Sequence, residues 1–124
     1  MLAIKFSAPY TTDIGLRMSM SFNDNLATFP AVEHLSGLNV LNEAGEVLHH
    51  IPAVAGKLGS LKLYNALAER FDGLLNAEAA AQGLTWFAEH VADAEANPGK
   101  HPNVDLLLTV QAEQKNYRLQ AIAL

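Results

Sequence analysis

Apolar residues along the chain change period several times, and each change marks an expected element. In SFNDNLATFPAVEHL, residues 21–35, Leu26, Phe29, Val32 and Leu35 recur every third position, and Asp24 is placed to cap a first turn. Pro30 must start a new turn or kink the old one, so the stretch predicts one short, broken helix. Period two follows. Leu38 and Val40 alternate with Asn39, and Val47 and Ile51 with Leu48. Between them NEAG sets Gly45 where a hairpin loop wants a left-handed residue, which predicts a β-hairpin. Alternation puts His49 on the face of Val47 and Ile51, and His50 on the face of Glu46 and Leu48. His49 is expected to be buried and His50 exposed.

Pro52 ends the second strand, and helical spacing takes over at Ser60. In SLKLYNALAERFDG, Leu61, Tyr64, Leu67, Ala68 and Phe71 form one stripe while Lys62, Asn65, Glu69 and Arg70 fall elsewhere. Ser60 is the expected cap and Gly73 the expected stop. Asn76 then caps a second helix, continuous to Ala96, in which Ala80, Leu84, Phe87, Val91 and Ala94 keep four-then-three spacing. So short a link predicts an antiparallel helix pair. Trp86 and His90 lie four apart, at a spacing that lets them touch. NPG ends the helix. Residues 103–113 fit a helix capped by Asn103 or a strand alternating Val104, Leu106, Leu108 and Val110; the capping signal after Pro102 favours the helix. YRLQAIAL reads as a last strand. Two hairpin strands alone would be marginal, so the third is expected to join them. The fold class is therefore α+β: a small antiparallel sheet, hairpin plus C-terminal strand, packed against helices.

With 124 residues, half of them apolar, the chain is expected to fold around one core, as a single domain over residues 20–124. Residues 1–19 are read either as an N-terminal extension or as an extra edge strand built on LAIKF. They form a poor signal peptide. Apolar runs fall short of the roughly 20 residues that cross a membrane, so no membrane partner is expected. The absence of cysteine excludes disulfides, thiol catalysis and Cys-ligated zinc, and fits a cytoplasmic location. The net charge is −5, with Lys5 and Arg17 against Asp13 in the first nineteen residues. Too few cations remain in the body for tracking a nucleic-acid backbone, so no nucleic acid is expected.

MSFNDNLATFPAVEHLSGLNVLNEAGEVLHHIP, GKLGSLKLYNALA and ANPGKHPNVDLLL resemble a bacterial family catalogued as a domain of unknown function, number twenty-three twenty-two in that series. The resemblance covers Met20 to Leu124. It implies no activity, cofactor or catalytic residue.

Chemistry is most concentrated in two loops. GKLGS, residues 56–60, sets Gly56, Lys57, Gly59 and Ser60 before a helix, whose first N–H groups lack internal partners and favour an anion. It is neither a Walker A loop nor G-x-G-x-x-G. NPGKHPN, residues 97–103, adds Lys100 and His101. Were the loops to meet, lysines, histidine and helix amides would converge on one small anionic group. The plain alternative is a turn, a capping serine and a rigid connector. His49 and His50 point to opposite faces. His90 and Asp93 have ligand spacing, with Glu89 nearby, but H-E-x-x-H is absent, so no metal is assigned. No cofactor and no catalytic residue are assigned either, since Ser60 lacks G-x-S-x-G and pairs such as Glu43 with Glu46 suit surface turns. Tyr64, Trp86 and His90 are candidate interface anchors, and open sheet edges invite a homodimer. The sequence alone favours a non-catalytic accessory or protein-interaction domain. The alternative is a binder of, or enzyme for, a small phosphorylated or anionic metabolite.

Overall fold

The computed structural model describes residues 20–124; both expectations for residues 1–19 lie outside that range. Within the described residues, five helices and a four-stranded antiparallel sheet make an α+β fold. In chain order the elements are α1 (Phe22–Leu26), β1 (Leu35–Leu41), β2 (Val47–Pro52), α2 (Leu58–Arg70), β3 (Leu74–Leu75), α3 (Ala77–Phe87), α4 (Glu89–Ala96), α5 (Pro102–Glu113) and β4 (Tyr117–Ala123). The sheet order is β2-β1-β4-β3. The C-terminal strand thus inserts beside the hairpin, and the two-residue β3, unforeseen in the sequence, closes the far edge.

Register explains which side of the sheet is covered. Leu38 sits between Ile51 and Ala121, and Val40 between His49 and Leu119, and these rows carry the buried Leu38, Val40, Ile51 and Leu119. Asn39 sits between His50 and Gln120 on the opposite face, where His50 Nδ1 donates to Asn39 Oδ1 at 2.6 Å. His49 is half-buried and His50 exposed. The alternation fails one residue earlier. A bulge pairs Val40 with His49 but Leu41 with Val47, leaving Leu48 unpaired. A bulge takes the strand out of phase, and Val47 and Leu48 are both exposed, at 56% and 47%.

α2 touches all four strands as well as α1 and α3. A helix so surrounded cannot keep to one apolar stripe, and Leu63 and Ala66 are buried beside Leu61, Tyr64 and Leu67. Gly73 does end the helical stretch with a left-handed φ of 79°, and Asn76 Oδ1 caps α3 by accepting from Ala79 N at 3.0 Å.

Four boundaries depart from the periodicity. The first helix stops at Leu26. Thr28 and Phe29 close tight three-residue turns onto Asn25 and Leu26, and Leu35, paired with Ala123, opens β1 instead. The every-third-residue pattern there belongs to an irregular stretch laid on the core, with Phe29 against Trp86 at 4.6 Å between ring centroids. α2 begins three residues early. Lys57 N bonds Val54 O, and the turn at Gly56, φ 87°, delivers the chain into helix at Leu58. The N-cap is Lys57, and Ser60 lies inside the first turn rather than capping it. The expected 77–96 helix breaks at Ala88, φ 53° and ψ −117°. The break leaves Phe87 in the core and turns Glu89 toward α1, where its Oε1 accepts from Phe22 N at 3.0 Å. That backbone donor holds the Glu89 carboxyl below its ordinary range. Residues 103–113 are helical, but His101 is the N-cap with Pro102 in the first turn. Asn103 is buried instead of capping.

Candidate functional site

Asn103 fixes the entry of α5. Its side-chain oxygen accepts from His49 Nε2 of β2 at 2.6 Å, and its main-chain oxygen accepts from the Tyr64 hydroxyl of α2 at 2.6 Å. Burial pushes the Tyr64 phenol far above its ordinary pKa, so it stays a neutral donor. One residue thereby ties a strand and two helices together, and the starts of α2 and α5 face the same cleft.

Between these two helix starts lies a cleft of about 400 Å³. Gly56, Lys57, Gly59, Ser60, Lys100 and His101 all line it, together with Asn103. The two Gly-Lys loops therefore meet around one concavity. Neither helix carries a side-chain cap. The first intrahelical bond of α2 runs from Leu61 N to Lys57 O, so the amides of Leu58, Gly59 and Ser60 have no partner within the helix. Lys57 is exposed and makes no ion pair among the described residues.

The second loop is differently disposed. Asp93 of α4 accepts from His101 Nε2 at 2.6 Å, from Lys100 Nζ at 2.9 Å and from Asn97 Nδ2 at 3.0 Å. The His101 bond first, then that of Lys100, lowers the Asp93 carboxyl from 3.8 to about 2. Lys100 and His101 thus reach the cleft already paired with one carboxylate, whereas Lys57 has no carboxylate partner among the described residues. Gly99 N donates to Asp105 Oδ2 at 2.9 Å, closing the loop onto the first turn of α5.

His90 also lines the cleft. Its ring stands edge-on to Phe22 at 4.8 Å and 5.3 Å from that of His101. Trp86, expected to touch His90, packs on Phe29 instead, because the break at Ala88 ends the shared helix face. Tyr64 is fully buried and presents nothing to a partner, while Trp86 and His90 are half-buried. No group of three His, Asp or Glu side chains among the described residues is arranged to hold a metal ion. His90 and Asp93, spaced as ligands, turn to Phe22 and to His101 respectively.

His90, which lines the cleft, and Asp93, which holds Lys100 and His101, lie outside the two loop motifs. Asp93 stands one helical turn before NPGKH, so a chain reversal at Pro98–Gly99 returns Lys100 and His101 to it. That spacing was the available clue. No sequence pattern announces the pairing of His49 with Asn103, fifty-four residues apart.

Residues 22–121 match the family of uncharacterized proteins conserved in bacteria designated DUF2322. The chain belongs to that family. No curated protein and no solved structure matches it. Among the described residues no helix is long and apolar enough to cross a membrane.

Proposed function

We propose that the cleft between α2 and α5 binds a small phosphorylated or otherwise anionic metabolite. The observation that carries this is the meeting of two Gly-Lys loops, over forty residues apart in sequence, around one cavity with the uncapped first turn of α2 in its wall. Helix amides and a lysine with no carboxylate partner among the described residues stabilise negative charge, and an anion replaces the water that would otherwise satisfy those donors. Gly56, with open space where a side chain would stand, leaves its backbone accessible. His101, oriented by Asp93, adds a donor or acceptor at the rim.

A thermal-shift screen of the whole chain against inorganic phosphate, sugar phosphates and nucleotides tests the proposal. A ligand at 100 times its dissociation constant stabilises the fold by about 2.7 kcal/mol, a shift of several degrees at this size. Lys57→Ala is expected to abolish most of that shift. No shift with any anion, or a shift indifferent to Lys57→Ala, would defeat the proposal.

A protein-interaction role draws support from a separate feature. β2 is an edge strand whose Val47 and Leu48 are exposed, and exposed edges of this kind pair with other strands. Sedimentation of the wild type and of Val47→Lys tests it, with self-association lost in the variant.

A further inference from the structure

The charged cleft does not end at α2. A second hollow, of about 630 Å³, opens on the other side of Leu58 and Gly59, with walls of Ala31, Val32, Leu35 and Ala53. Leu26, Leu58 and Gly59 line both hollows, so the two adjoin at the first turn of α2. Each lies within the range of about 300–1,000 Å³ usual for small-molecule sites.

Their chemistry differs sharply. The cleft offers Lys57, helix amides without a partner in the helix and His101; the groove offers aliphatic side chains, with Glu33, Ser36 and Lys62 as its polar lining. Leu58 stands between them, 49% exposed although apolar. Gly59 lies under α1. A Cβ there would lie 3.1 Å from Phe22 Cζ and 3.4 Å from Leu26 Cδ1, so α1 packs directly on Gly59 and leaves the exposed Leu58 as the low rim between the two hollows.

A further donor faces the cleft. Asn103 lines the cleft and is 7% exposed. Its oxygen is taken by His49, while its Nδ2 donates to no acceptor among the described residues. A carboxamide N–H₂ so buried and unpaired costs stability unless something answers it. A phosphate oxygen in the cleft is an acceptor of the required kind.

Resting on the anion-binding reading above, we infer that the ligand is an amphipathic phosphate: a phosphomonoester head in the cleft and a short unbranched apolar chain in the groove. Charge selects the head, through Lys57 and the α2 amides. Apolar burial along Leu26, Val32, Leu35 and Ala53 selects the chain.

Direct titration of the full chain with inorganic, butyl, hexyl and octyl phosphate, below their micelle-forming concentrations, reads both halves. Affinity is expected to rise by about fourfold for each added methylene until the groove is filled. Ala31→Glu, at an exposed position on the groove wall, should flatten that series and leave inorganic phosphate unchanged. Lys57→Ala should weaken every phosphate by a common factor. Equal affinity for inorganic and octyl phosphate would overturn the inference while the cleft stands, leaving the groove to a protein partner or a second copy. A chain-length gain that survives Ala31→Glu, or octanol binding as tightly as octyl phosphate, would also overturn it. Failure of every phosphate to bind would remove both the inference and the reading beneath it.

Discussion

Asp93 holds His101 at 2.6 Å, carboxylate oxygen to ring nitrogen, across the turn that separates α4 from α5. The pair, with Lys100 on the same oxygen, decides how the second loop faces the cleft. It also makes the loop sensitive to acid.

The Asp93 carboxyl is lowered to about 2 from an ordinary 3.8. A depressed folded-state value adds stability that is complete above the unfolded value and disappears as pH falls through the folded one. Wild type is therefore expected to lose stability relative to Asp93→Asn between about pH 4 and pH 2, and to hold a constant advantage over it from pH 5 to 6. Paired denaturation curves across that range check the sign. Curves for the two proteins that run parallel through the acid window would mean that the ion pair contributes nothing to folding.

Tyr64→Phe removes the hydroxyl that bonds Asn103 O at 2.6 Å and keeps the ring packed near Phe87. Loss of one buried hydrogen bond is expected to cost about 1 kcal/mol. Urea unfolding measures it. Because Asn103 positions the start of α5, the same variant should weaken anion binding even though Tyr64 does not line the cleft.

Gly37 in β1 has no room for a side chain. A Cβ there would lie 2.7 Å from Ile51 O and 2.7 Å from His50 Cε1. The carbonyl belongs to the neighbouring strand and cannot move without disturbing the ladder. Gly37→Ala is therefore expected to destabilise by about 1–3 kcal/mol, the usual scale for overpacking, seen as a lower urea midpoint.

The hairpin was legible because alternation and a Gly45 turn agree, and α3 because Asn76 is a cap with helical spacing behind it. Where local signals competed with tertiary ones, the latter prevailed. Ser60 is a good capping residue, yet the Val54–Lys57 turn starts the helix before reaching it. Asn103 is another, but its side chain is drawn into the core by His49. Ala88 carries no sequence mark of a break, since an alanine at positive φ is imposed by what Phe87 and Glu89 must reach on either side. Leu48 shows no sign of the bulge that exposes Val47. Of the candidate site, the two Gly-Lys loops could be read from composition, while their juxtaposition depends on Asn103, Tyr64 and His49, contacts between elements distant in sequence. The Asp93 clamp on Lys100 and His101 likewise appears only once α4 and the loop are folded together.

The central claim is that an anion sits on the first turn of α2 within reach of Lys57. Phosphate titration followed by ¹H–¹⁵N correlation spectra tests it most directly. Progressive shifts confined to the amides of Leu58, Gly59, Ser60 and Asn103, weakened in Lys57→Ala, are the expected result. Spectra unchanged at those four amides, or changed equally in wild type and variant, would contradict it.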